Sequence, residues 1–299
     1  MPLVSELAQT YLTACAVEGK SPNTIRGYRQ SLERLQEVAK ERGLPAAAED
    51  YTVPQVYEYL SALRERSMSR AYQHRLHREV KAFFSWCLRM GILEQNVFAR
   101  VPLVKLEQQI VQPFSVEQVN RLLAAVDIGT RAGRRNHALM LFLLDTGVRA
   151  SECVSVHLDD VDWDHGRVRV LHGKGQKQRW VGFGQAAQAA LRTYLADRGS
   201  DPGPLFLSTR SGRGMKPLAL NTILGRIGEE AGVEKVHPHR FRHTFATWAI
   251  RSHAREIDVQ SLLGHTSLTM VQRYARTYSS EEAVAAHEQF SPVAQLQTR

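Results

Sequence analysis

The stretch Val104–Pro113, VKLEQQIVQP, has neither a helical nor a strand period and ends in proline. It constrains the fold more than any other feature, because the chain on either side of it is strongly periodic. At 299 residues the chain is long for one hydrophobic core. The break therefore predicts two domains, residues 1–104 and 114–299, joined by a linker at 105–113.

The first domain reads as four helices. Ser5–Val17 carries an apolar stripe of Leu7, Tyr11, Leu12 and Cys15. Ser21 caps a second helix with Pro22 in its first turn, and Ile25, Tyr28, Leu32 and Leu35 share one face until Gly43. Pro54–Arg66 is the third, with Val56, Tyr57, Leu60 and Leu63 turned inward. Ser69–Met90 is the fourth, closed by Gly91. On its side opposite Leu76, Val80, Phe83, Phe84 and Cys87 lie Arg70, His74, His77, Arg78 and Lys81. Such a row of cations suits a helix that tracks phosphates. It also suits a solvated face, and Glu65 and Glu79 dilute it.

The second domain opens with a capped helix at Ser115, followed by a largely apolar one over Arg135–Asp145 that breaks at Thr146–Gly147. Arg149 then sits where a glycine turn meets a helix start. The helix dipole disfavours a cation there unless it serves an anion arriving at that terminus; a surface role or a salt bridge to Glu152 is the alternative. Val161–Trp163, Arg167–His172 and Arg179–Val181 read as short strands, with Gly173–Lys177 as a hairpin loop that carries Lys174 between two glycines. The loop lacks the glycine spacing and Lys-Ser/Thr of a phosphate-cradling P-loop. Ala186–Asp197 and Leu218–Ala231 are helical, with a short strand expected at Leu205–Leu207. The fold class is mainly α with a small β-sheet.

The segment His237–Tyr274 concentrates unusual chemistry. His239 and Arg242 share the first turn of a helix running to Arg251. Glu256–Leu263 is a second helix ended by Gly264, His265 follows at the turn, and a short helix leads to Tyr274. His237, His239 and His243 are close in sequence, but no cysteine or carboxylate stands at ligand spacing, so no metal is expected. A helix-turn-helix reader over 255–276 is a better rival, yet it leaves His239, Arg242 and Lys174 without work.

Lys and Arg exceed Asp and Glu by 39 to 30, a net charge of +9. The excess is shared: residues 1–105 hold 15 basic and 11 acidic groups (+4), and the remaining 24 and 19 (+5) lie beyond. A polyanion touching both halves accounts for that. Cys15, Cys87 and Cys153 form no disulfide framework, and neither a signal segment nor a membrane span is present, so a soluble cytoplasmic protein with no membrane partner is expected.

The order Arg149, Lys174, His239-x-x-Arg242, Leu-Gly-His265, Tyr274 resembles the tyrosine recombinase (phage integrase) family, in its simple Xer-like form. The resemblance covers nearly the whole chain and rests on TGVRASE, GKGQKQR, HRFRHTFAT and LLGHTSLTMVQRYAR. It implies an N-terminal four-helix core-binding domain and a C-terminal mixed α+β catalytic domain. It implies DNA strand exchange through a 3′-phosphotyrosyl intermediate, without metal, ATP or other cofactor. Tyr274 would be the nucleophile, Arg149 and Arg242 the phosphate clamp, and His239 the proton acceptor. Lys174 would be the acid for the leaving oxygen, His265 a phosphate ligand, and Glu152 a partner orienting His265 or an arginine. Lys177 and Arg240 join Arg70, His74, His77, Arg78 and Lys81 as expected DNA contacts. The partners implied are double-stranded DNA with inverted-repeat core sites and a homotetramer, or heterotetramer, in which the helix over Ser280–Gln289 docks on a neighbour. Tyr278 competes as nucleophile, but the family spacing of nine residues from His265 selects Tyr274. A topoisomerase of the same chemistry and a silent DNA-binding regulator are the alternatives. The chain begins directly at the core-binding helices, which argues against an additional arm-binding domain.

Overall fold

A computed structural model describes residues 2–106, 111–171 and 178–264 of the chain. The chain divides into two compact units, Met1–Gln109 and Ile110–Arg299. The expected hairpin loop with Lys174 and Lys177, and everything from His265 onward, including Tyr274, Tyr278 and the C-terminal helix, lie outside the described residues.

The first unit contains α1 (Val4–Val17), α2 (Pro22–Arg42), α3 (Val53–Glu65), α4 (Arg70–Arg89) and a one-turn α5 (Val97–Arg100). The starts obey the capping chemistry legible in the sequence. The hydroxyls of Ser21 and Ser69 accept the backbone N–H groups of Thr24 and Tyr72. Gly43 ends α2 in the left-handed conformation, at φ 63°. The core is aromatic: Tyr59, Phe83, Phe84 and Phe98 are fully buried, and Phe84 meets Phe98 with ring centroids 4.5 Å apart. Phe98 belongs to α5, which escapes periodicity analysis because four residues cannot show a period. Asn96 caps it and ties it to α4 by donating to the Lys81 carbonyl and the Ser85 hydroxyl.

The second unit contains α6 (Val116–Ala124), α7 (Arg131–Thr146), α8 (Ala150–Ser155), α9 (Gln185–Arg198), α10 (Pro217–Glu230), α11 (Pro238–Arg251) and α12 (Glu256–Leu263). An antiparallel sheet joins β1 (Val161–Asp162), β2 (Arg167–Leu171) and β3 (Gln178–Gly182) in that order. Val168 pairs with Val181 and Val170 with Arg179, so Arg179 points to the same side as the buried valines. α7 starts four residues earlier than its apolar run suggests, because the Thr130 hydroxyl accepts the Gly133 N–H and sets the first turn. The strand expected at Leu205–Leu207 is instead a buried irregular segment held by single bridges, His157 to Pro204 and Leu207 to Gly214. Leu205 and Phe206 are apolar because they fill the core.

α7, the central helix, stops at Gly147, at φ 59°. An added Cβ there would run into the Phe245 ring of α11 and come within 2.9 Å of Leu263 of α12. The absence of a side chain thus lets the α7–α8 turn press against two later helices. This contact brings Arg149, at the cap of α8, to the ends of both.

Candidate active site

Arg149 occupies the N-cap position of α8. Its backbone N–H donates to Glu152 Oε2 at 2.9 Å and its Nη1 to Glu152 Oε1 at 2.9 Å. The salt bridge to Glu152 therefore forms, and the carboxylate also covers the helix start, answering the unfavourable dipole. The Arg149 side chain keeps 36% of its surface exposed. Its Nη2 reaches the Gly264 carbonyl at 3.5 Å.

Glu152 orients two arginines. Arg179, from the inward face of β3, donates Nη1 to Oε1 at 3.1 Å and Nη2 to Oε2 at 2.8 Å. Burial pushes the Glu152 carboxyl up. The Arg179 hydrogen bonds, the Arg149 backbone N–H and the two guanidinium charges outweigh it and hold the group at about 2. Arg179 is a functional candidate that motif reading passes over. The signal was available: an arginine two residues before Val181 falls on the core side of a strand, where a charge needs a partner.

Arg242, on α11, is only 2% exposed. Its Nη1 donates to the Gly147 carbonyl at 2.8 Å and its Nη2 to the Leu263 carbonyl at 2.7 Å. These bonds fix the plane of the guanidinium between the α7–α8 turn and the end of α12. His239 lies one turn earlier on α11 and is exposed. Desolvation by the protein around it lowers its pKa below the ordinary 6.5, and the charges of Arg242 and then Arg149 lower it further. The imidazole is thus neutral near pH 7 and able to accept a proton. His243 sits deeper on the same helix, pushed down to about 4 by burial, by His239 and by Arg240.

Gly264 ends α12 in the left-handed conformation, at φ 62°. A Cβ on it would stand 3.1 Å from Arg179 Nη1. His265 is the next residue in sequence. The structure thus brings Arg149, Glu152, His239 and Arg242 to one place, at the point where the chain leaves α12.

Three expected DNA contacts have other surroundings. Arg240 is buried: Nε donates to the Gln112 carbonyl at 3.0 Å, Nη1 to the Glu234 carbonyl at 2.5 Å and Nη2 to Gln118 Oε1 at 3.1 Å. Its guanidinium lies over the Phe114 ring at 4.1 Å. Helical phase places it two residues from Arg242 on the opposite side of α11, so it braces the start of the second unit. His77 is 0% exposed, with Nε2 near the Phe98 carbonyl, and burial lowers its pKa. His74 is half-buried, and its Nδ1 is bonded to the Val104 carbonyl at 2.8 Å. Only Arg70 and Arg78 of the α4 row are exposed, with Lys81 intermediate. Glu79, expected to dilute that row, is buried and accepts the Ser31 hydroxyl.

His237 caps α11 by accepting the Arg240 N–H at its Nδ1. Among the described residues no group of three His, Cys, Asp or Glu side chains is placed to hold a metal ion, and no helix is long and apolar enough to cross a membrane.

Comparison with known proteins supplies the family. The phage integrase family model matches residues 113–281, and that of the phage integrase N-terminal SAM-like domain matches residues 8–91. The chain is 36% identical over 263 residues to the tyrosine recombinase XerC of Oceanobacillus iheyensis, covering 85% of each chain. It is 31% identical over 274 residues to the XerC of Bacillus subtilis, covering 88% of each. Its fold matches the Tn1549 transposon integrase in complex with a circular intermediate DNA, with a TM-score of 0.76 at 20% identity over 95% of this chain and 99% of that one. It also matches the XerH recombinase bound to a palindromic difH substrate, with a TM-score of 0.73 at 21% identity over 95% of this chain and 84% of that one. The chain belongs to the phage integrase family. Within it, the chain is a tyrosine recombinase similar to the Xer proteins.

Proposed function

We propose that the chain cleaves and rejoins double-stranded DNA at specific sites through a covalent 3′-phosphotyrosyl intermediate. The observation that carries this reading is the convergence of Arg149, Arg242 and His239 at the end of α12, immediately before His265 in sequence.

The phenolic oxygen of Tyr274 attacks the scissile phosphorus and a P–O5′ bond breaks. Tyrosine has an unperturbed pKa of about 10, so it needs an acceptor for its proton. His239, held neutral by its surroundings, takes that role. Arg149 and Arg242 stabilise the charge that grows on the nonbridging oxygens; both are permanently charged planar forks. Lys174 gives a proton to the departing 5′-oxygen, and His265 hydrogen-bonds the phosphate. Attack by a 5′-hydroxyl on the phosphotyrosine reverses the steps in the partner strand. The bond energy is conserved in the adduct, so no ATP is consumed.

The DNA partner is a duplex with inverted-repeat core sites. Residues 1–104 form the core-binding half, with Arg70 and Arg78 offered to the phosphates. Residues 114–299 form the catalytic half, and four protomers synapse two duplexes in the cytoplasm. A nicked suicide duplex, which loses a short strand after cleavage, tests the reading. Tyr274→Phe is expected to abolish the covalent adduct and Tyr278→Phe to retain it; the reverse result overturns the nucleophile assignment. A topoisomerase would relax supercoiled DNA that lacks any such site.

A further inference from the structure

Three arginines from three different elements hold three consecutive carbonyls at the end of α12. Arg179 Nε donates to Leu262 at 2.7 Å, Arg242 Nη2 to Leu263 at 2.7 Å and Arg149 Nη2 to Gly264 at 3.5 Å. The carbonyl end of a helix carries partial negative charge, and cations there are favourable. Two of these arginines belong to the proposed phosphate clamp. Arg179 is 12% exposed, so it is poorly placed to meet DNA itself, and its other two nitrogens are committed to Glu152.

Each Glu152 oxygen accepts one bond from Arg179 and one from Arg149. The carboxylate is thus a rigid link between an interior guanidinium and the exposed one. Arg179 also packs against Gly264, where a Cβ would stand 3.1 Å from it. We propose that Arg179 is a positioning residue for strand cleavage: through Glu152 it sets the orientation of Arg149, and through Leu262 it sets where the chain leaves α12 towards His265 and Tyr274. The inference rests on the assignment of Arg149 and Tyr274 to the reaction. A lysine at 179 keeps the charge but has one point-like head group, which cannot hold both carboxylate oxygens and the Leu262 carbonyl in one plane.

The test uses the full chain and a nicked duplex built on the sequence that the wild-type protein selects from a random duplex pool. DNA affinity, adduct rate at saturating DNA, its pH profile and thermal melting are measured for R179K, R179Q, E152Q and the R179K/E152Q pair. R179K is expected to bind DNA within about threefold of wild type. Its adduct rate is expected to fall about 10–100-fold, the scale on which loss of an orienting partner acts. Its pH profile keeps the acid limb that His239 sets, because the loss lies in orientation and not in the proton acceptor. R179Q falls further, and the double variant is no slower than the slower single one, since both substitutions break one linkage. An R179K adduct rate within twofold of wild type overturns the proposal. So do losses that multiply in the double variant, or rate losses in R179K and R179Q that only follow the unfolded fraction. If wild type forms no adduct, or Tyr274→Phe still does, the assignment of the site fails instead.

Discussion

α4 and α11 show the same surface pattern in the sequence and opposite outcomes in the fold. Each offers several basic side chains within one or two helical turns. On α4 the row separates into exposed Arg70 and Arg78, a half-buried His74 bonded to a carbonyl, and His77 within the core. On α11 the two arginines of its first turns, Arg240 and Arg242, are buried, and what distinguishes them is the identity of their acceptors. Arg240 holds the segment that leads into α6, whereas Arg242 holds the turn that carries Arg149 and the end of α12. Exposure alone therefore misleads in both helices. The informative quantity is which elements a cation connects.

The largest test of this contrast is the arginine pair on α11. Arg242→Ala is expected to lower the adduct rate on a suicide duplex by about 10²–10³-fold, as removal of a donor to developing charge does. Arg240→Ala should leave the rate per folded molecule near wild type. It should cost about 1–3 kcal/mol in denaturant unfolding, because buried carbonyls lose their donor. Equal losses of rate in the two variants would erase the distinction.

A smaller effect separates the two histidines. His239 has a lowered pKa, so the adduct rate should hold as pH falls to 6.5 and decline only below that, as the imidazole gains a proton. His77 also has a lowered pKa, but in the core. There the unfolded chain binds the proton more readily, so stability is present above the ordinary 6.5 and is lost as pH falls below it. His77→Leu should remove that part of the pH dependence of melting and leave the rate profile unchanged. A rate profile that shifts with His77→Leu would place that residue in the site after all.

The smallest effect belongs to the exposed row. Arg78→Ala should weaken DNA binding about equally for all sequences and reduce the slope of log affinity against log salt by about 1. His77→Leu should leave the slope alone, and a change there would restore His77 to the cationic row.

Most helices were legible because their signals are local: Ser21, Ser69 and Ser115 cap, Gly43, Gly147 and Gly264 stop, and apolar stripes mark the inner faces. α5 and the 204–207 segment were not, since each is shorter than a period or held by contacts distant in sequence. In the candidate site, residue types and order singled out Arg149, His239 and Arg242, which the fold brings together, and Glu152, which bonds an arginine as expected. Arg179 lies in the GKGQKQR motif, which by itself gives it no role, because its meaning depends on Glu152, 27 residues earlier, and Leu262, 83 residues later.

The sequence by itself determined the two-part division, the mainly helical class and the set of groups suited to phosphoryl transfer, because capping, periodicity and motif order are properties of neighbouring residues. Tertiary structure decided which cations brace and which face the site. A guanidinium's role is set by the carbonyls and carboxylates within about 3 Å of it. Those acceptors come from turns and helix ends that only the packing of α7, α11 and α12 brings together.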